Sequence, residues 1–320
     1  MEIKEKIATR DGFGKAIVNL GNDPFIGKNI YVLSASVGDS TKAFDFKKKY
    51  PDRYIETGIA EANMIGVSAG LALTKKIPFA TAFASFLPGR CYDQIRQSVC
   101  YSNLNVKLIA THAGLTVGPD GATHQMMEDI AMLRALPNLK IIVPCDAIEA
   151  EKATYTIAKE YGPFYLRLGR EKIPVLTSDY YKNNEFKIGK SIVMRDGKDI
   201  TIIATGIMVY YALLASEILE KENISLRVVN MHTIKPIDSE EIIKAAKETK
   251  AIITAEEHQI YGGLGSAVSE ILSQYNPKRL KIIGMEDKFG ESGNANDLLE
   301  KYELNEKRII KEIKLLLKNI

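Results

Sequence analysis

The chain has 320 residues, 46% apolar and 26% charged, the composition of an ordinary globular protein with enough apolar side chain to bury a core in each of two domains. Its formal net charge is +3 and no dense Lys/Arg cluster occurs, which argues against nucleic acid or an anionic membrane as a partner. The three cysteines, Cys91, Cys100 and Cys145, form no CxxC pair and lie in apolar surroundings, so buried free thiols are expected rather than disulfides or a zinc site.

The opening MEIKEKIATR has no apolar run and does not read as a secretory signal. The longest uncharged stretch, Ile200 to Ser216, is too short to span a bilayer and is interrupted by Gly206. A cytoplasmic protein is expected. Apolar β-rich runs then alternate with helical patterns, the mark of an α/β protein with mostly parallel sheets flanked by helices. Strands are expected at Ile30–Ala35, Phe79–Phe83, Val106–Thr111, Lys140–Pro144 and Phe164–Leu168. Helices are expected at Arg10–Leu20, with Gly21 as a C′ glycine, and at Ala60–Leu73, Tyr92–Tyr101, Met126–Ala135 and Ala147–Glu160. The polar passage Ser178–Phe186 reads as a linker, dividing the chain into 1–177, a linker 178–188, and 189–320. The second unit has expected strands at Ile200–Thr205, Leu226–Met231, Ala251–Ala255 and Lys281–Gly284. Its helices are Met208–Lys221, Glu240–Thr249, Leu264–Tyr275 and the amphipathic tail Glu306–Lys318.

Parallel sheets bind ligands at the carboxyl ends of their strands. Ser36 to Ser40, His112 and Arg170 stand at such ends. Glu61 opens an almost wholly apolar helix, with no further charge until Lys75. A first-turn glutamate favoured by the helix dipole is the plain reading. Burial of that carboxylate would instead demand a partner or a raised pKa, as in a proton-handling group. The loop from His112 to His124 holds two of the four histidines, Asp120 and three glycines, and in that combination a functional loop outweighs an incidental connector. Phe83 and Phe86 read as core by default. Arg10, Arg90 and Arg170 could each grip phosphate, though each alone reads first as a surface or ion-pair residue. The stretch Tyr261-Gly-Gly-Leu-Gly265 lacks phosphate-loop spacing and reads as a helix packed closely on a sheet, and Glu257-His258 has no second ligand for a metal.

Taken together, IETGIAEANMIGVSAGLAL, AFASFLPGRCYDQIR, THAGLTVGPDGATHQMMED and LRALPNLKIIVPCD resemble the pyrimidine-binding domain of transketolase, and NMHTIKPID with EEHQIYGGLGSAV resembles the C-terminal domain that accompanies it. The resemblance runs the length of the chain and is nearest to the C-terminal subunit of a split transketolase. It implies thiamine diphosphate as cofactor and transfer of a two-carbon ketol unit between phosphorylated sugars, as in the pentose phosphate pathway. Glu61 matches the glutamate that hydrogen-bonds the cofactor's aminopyrimidine and favours its imino tautomer. Phe83 and Phe86 match the aromatic residues packing that ring. His112 and His124 match the two active-site histidines, and Asp120 the aspartate that reads the donor sugar's C2 hydroxyl. Arg10, Ser40 and Arg170 match positions that bind the sugar phosphate.

The family holds diphosphate and Mg²⁺ through a GDG motif that this sequence does not contain. The resemblance therefore implies no metal site in this chain, a separate diphosphate-binding N-terminal subunit that holds Mg²⁺, and an α2β2 heterotetramer. At one place the pattern departs: split transketolases read DADLS where this chain has Ser34-Ala35-Ser36-Val37-Gly38, so Ser36 replaces an aspartate at the site edge. Three other readings compete: 1-deoxyxylulose-5-phosphate synthase, which typically has arginine at the position of His112; a 2-oxoacid dehydrogenase β component; and a non-catalytic regulatory homologue.

Overall fold

A computed structural model describes residues 5–319; residues 1–4, the head of the stretch read as lacking a secretory signal, lie outside the described residues. The strands are β1 (Lys6–Ala8), β2 (Ile30–Ser34), β3 (Tyr54–Glu56), β4 (Ile77–Phe83), β5 (Lys107–Thr111), β6 (Lys140–Ile142), β7 (Phe164–Arg167) and β8 (Lys172–Pro174), followed by β9 (Ile192–Arg195), β10 (Ile200–Ala204), β11 (Leu226–Asn230), β12 (Thr233–Lys235), β13 (Ala251–Gln259) and β14 (Leu280–Met285). One seven-stranded sheet has the order β12-β6-β7-β5-β4-β2-β3, and one five-stranded sheet the order β14-β13-β10-β11-β9. Within these two sheets all pairs are parallel except the edges β12–β6 and β9–β11, and β1 and β8 form a separate antiparallel pair. The expected α/β architecture is the one observed. Strands buried along their whole length, such as β5 and β10, are predominantly apolar because both faces of the sheet are covered, and the buried Lys107 at the start of β5 donates to the carbonyls of Glu160 and Gly162.

The physical reasons for several local departures are visible. Gly21 is not a left-handed C′ residue; its φ is −59°, and the lack of a side chain leaves room for the Tyr50 ring. The helix read at Tyr92–Tyr101 starts earlier, at Leu87 with Pro88 in its first turn, and widens to a π-helical segment over Ile95–Tyr101. The helix read at Met126–Ala135 is confined to Asp129–Arg134, because Met126 is engaged in a bridge to Gly114. Within 178–188, Tyr181 and Phe186 are buried and stack on each other at 6.4 Å. The three cysteines are free and buried.

The two halves share their interior. The strand β12, from beyond residue 189, closes the edge of the first sheet, with Thr233 opposite Ile142 and Lys235 opposite Ile141. Lys235 then donates to the carbonyls of Arg134 and Leu136. Leu115, Met127 and Cys145 of the first half pack into the same cluster as Ile202, Val228 and Ile253 of the second. A buried polar knot fastens this seam. Asp146 caps the helix Ala147–Lys159 through Glu149 N and accepts from Leu176 N and Thr177 N, each at 2.6 Å. Glu149 accepts from Cys145 N, Tyr181 Oη and Asn230 Nδ2. Burial, with Asp146 beside it, pushes the Glu149 carboxyl up to about 7. Among the described residues no helix is long and apolar enough to cross a membrane.

Candidate active site

Topology brings the candidate residues to one edge of the seven-stranded sheet. The short antiparallel pair β1–β8 aligns Ala8 with Lys172, so Arg10, two residues after β1, and Arg170, two before β8, arrive on the same side. Thr9 reinforces the junction by accepting from Gly169 N at 2.7 Å. The end of β4 supplies Phe83, the end of β5 leads into His112, and the helix Glu61–Leu73 begins at the carboxylate.

Glu61 is 5% exposed, and the buried carboxylate has its partner: Arg90 Nη1 reaches both oxygens, at 3.0 and 3.2 Å. The Arg90 guanidinium lies 4.1 Å from the centre of the Phe86 ring, one helical turn before it in sequence. Phe86 stacks on Phe83 at 5.6 Å, and Phe83 stacks on His112 at 3.9 Å. His124 stands edge-on to Phe86 at 5.3 Å. The two phenylalanines are thus half-buried and in contact with these polar groups, rather than core residues.

His112 has φ 57°, the left-handed region a non-glycine residue seldom adopts, and is almost fully buried. Its Nε2 lies 3.1 Å from Arg10 Nη1 and its Nδ1 2.9 Å from Thr111 Oγ1. The guanidinium can only donate, so Nε2 accepts, and the ring proton sits on Nδ1 and is given to Thr111. Burial, followed by the charges of Arg10 and Arg170, pushes the His112 pKa down to about 3. The imidazole is therefore neutral at physiological pH. Arg10 also donates to Ser40 O at 3.0 Å, and burial lowers its own pKa, with Arg170 adding to the effect. Arg170 donates to Val117 O at 2.7 Å and reaches Asp120 Oδ1 at 3.4 Å.

Glu61, joined through Arg90, and Phe86, Phe83, His112, His124, Arg10 and Ser40 form one run of contacts, and Arg170, paired with Asp120, lies beside it, close enough to help lower the pKa of His112 and Arg10. Arg90 belongs to the run as well. Its spacing, four residues after Phe86 on a helix, was the available signal. Thr111, at the end of β5, and Thr9, at the start of the helix Thr9–Leu20, escaped the reading because a neutral hydroxyl at an element's end carries no distinctive pattern. The loop with Ser36 is held by Glu56, whose Oε1 accepts from Ser36 N at 2.8 Å and Gly58 N at 3.1 Å. Ser36 itself is exposed with φ 57°. Among the described residues no group of three or more His, Cys, Asp or Glu side chains is placed to hold a metal ion.

Comparison with known proteins gives the family of the chain. Residues 5–175 match the family model for the transketolase pyrimidine binding domain, and residues 189–309 the transketolase C-terminal domain. A Methanocaldococcus jannaschii protein named for a transketolase C-terminal section is 46% identical over 308 residues, covering 95% of this chain and 94% of its own length. The 6-deoxy-6-sulfo-D-fructose transketolase subunit of a Clostridium species is 41% identical, covering 88% of this chain and 87% of its own. A solved split gene transketolase, described as an inactive β4 tetramer, superposes with a TM-score of 0.88 at 44% identity and 98% coverage of both chains. The chain belongs to the transketolase family, as a C-terminal subunit of the split form.

Proposed function

We propose that this chain is the pyrimidine-binding subunit of a two-chain, thiamine-diphosphate-dependent transketolase of the cytoplasm. The observation that carries the reading is the single run of contacts from the buried Glu61, across the Phe86–Phe83 wall, to His112 and Arg10. A buried carboxylate beside stacked aromatic rings fits an aminopyrimidine: the rings take its faces and Glu61 shares a proton with a ring nitrogen. Bound thiamine diphosphate supplies the carbanion chemistry that carries a ketol unit. His112, neutral and aimed by Thr111, would hold a substrate hydroxyl, His124 would move a proton at the sugar, and Asp120 would read the C2 hydroxyl. Arg10, Arg170 and the Ser40 turn would receive the sugar's phosphate, since two neighbouring guanidiniums favour an anion.

Diphosphate and Mg²⁺ are assigned to a GDG-containing partner subunit in an α2β2 assembly, a reading supported by relatives of matching length that are named as subunits. The division into a pyrimidine-binding domain, 1–177, a linker, 178–188, and a C-terminal domain, 189–320, is part of the same proposal. Ser36, lacking the family's charge, makes the donor sugar the open variable. One relative is named for a sulfonated fructose, and the same arginines suit either anionic group.

The test is to mix the chain with a GDG-containing subunit, thiamine diphosphate and Mg²⁺, and to follow ketol transfer from xylulose 5-phosphate to ribose 5-phosphate. Activity in the mixture and in neither chain alone is expected. Cofactor binding without use of these sugars would overturn the choice of donor, and failure of any such subunit to complete a cofactor site would overturn the reading itself.

A further inference from the structure

The strand β13 runs past Ala255 as Glu256-Glu257-His258, three polar residues that remain buried. Such groups need partners. Glu256 accepts from Leu264 N at 2.7 Å and Gly265 N at 2.8 Å, holding the first turn of the helix Leu264–Tyr275. His258 accepts from Ala131 N at 3.3 Å. Glu257 turns toward the loop that follows β5. Its Oε1 accepts from Thr116 N at 2.6 Å, and its carboxyl packs against Gly114 so closely that any side chain there would collide with it.

Gly114 and Thr116 open the loop that ends in Asp120 and His124. The rest of the loop rests on the second half of the chain as well. Gln125 Nε2 donates to Leu115 O at 3.1 Å within the loop and to Glu291 O at 2.9 Å beneath it. Gly118 lies against the carbonyl of Gly293, and Gly121 against Ser292, with no space for a side chain at Gly121. Arg167 binds Met126 O at 3.0 Å and Glu257 O at 3.1 Å, tying the loop's exit to the same strand.

We propose that Glu257 is a positioning residue: by holding Thr116 N it sets the height at which the loop presents Asp120 and His124, and this support is what the second half of the chain contributes to the reaction. The proposal rests on the sugar-binding role given to that loop above. Without the carboxylate, Thr116 N loses its acceptor and Gly114 its floor, and the loop gains freedom where the substrate must be met.

Hydrogen–deuterium exchange of the full chain reads this directly. Glu257→Ala should speed exchange over 114–121 by about tenfold, and Glu257→Gln, which keeps an oxygen in place, should restore slow exchange. In the assembled enzyme Glu257→Ala should raise KM for the donor sugar about tenfold with kcat lowered far less, and Glu257→Gln should recover it. If Glu257→Ala does not fold, Glu257→Asp, which draws the carboxylate back from Thr116 N, should free the same loop. Unchanged exchange in the variant that folds, or a freed loop with an unchanged KM, overturns the proposal. An assembled wild-type enzyme without ketol transfer would sink the transketolase reading, whereas the exchange experiment would still decide whether Glu257 holds the loop.

Discussion

His112 and His232 are both buried and neutral, and both have pKa values pushed from 6.5 down to about 3 by burial. The folded protein resists a proton that the unfolded chain takes up readily below about pH 6.5. Their contribution to stability is therefore complete above that pH and is lost as pH falls towards 3. His232 lies outside the candidate site, against Phe186 and Thr233. His232→Gln should remove on the order of one proton from the pH dependence of unfolding between those limits, measured by urea denaturation across pH. Glu61 is the second case at this scale. Glu61→Gln keeps the shape and a contact for Arg90 but cannot take up or release a proton. Ketol transfer by the assembled enzyme should fall by roughly 10²-fold or more, with the melting temperature little changed. The burial of Glu61 was legible from the uncharged run that follows it. Its pairing with Arg90 was not, because only the fold sets the two helices side by side.

The helices and sheets owe their positions to a few close approaches. The helix Thr9–Leu20 crosses the start of Ala147–Lys159 at Gly12, where any Cβ would meet the Ala147 carbonyl. Gly12→Ala should force the helices apart and cost about 1–3 kcal/mol, despite alanine's higher helix propensity. Asp146 is fully buried with two backbone amides and the Thr177 hydroxyl on Oδ2. Asp146→Ala should cost about 3 kcal/mol or more in denaturant unfolding, since those donors are left without acceptors. The strands β2, β4, β5, β7, β10 and β11 were legible as apolar runs of the right length, whereas β3 and β9 were not read. The pairs β1–β8 and β12–β6 were not, because three residues carry no periodicity and their partners are distant in sequence. The polar end of β13 was missed for the opposite reason: Glu256, Glu257 and His258 look like a loop until their buried partners are known.

As a whole, the molecule is one body in which each half completes the other. A fragment ending at residue 188 would lose β12 from the edge of its sheet and expose Leu115, Met127 and Cys145. Such a fragment should aggregate or lack a cooperative melting transition, whereas the full chain should show one; calorimetry and size-exclusion chromatography distinguish the two.

The β12–β6 pairing also has a consequence in time. A chain emerging from the ribosome can assemble β2 to β7 early, yet the edge of β6 stays open until Lys235 has cleared the exit tunnel. Throughout that interval the nascent protein presents the outer edge of β6, paired only with β7, to its neighbours. Slow codons between residues 142 and 235 should lengthen that interval and lower the yield of folded subunit.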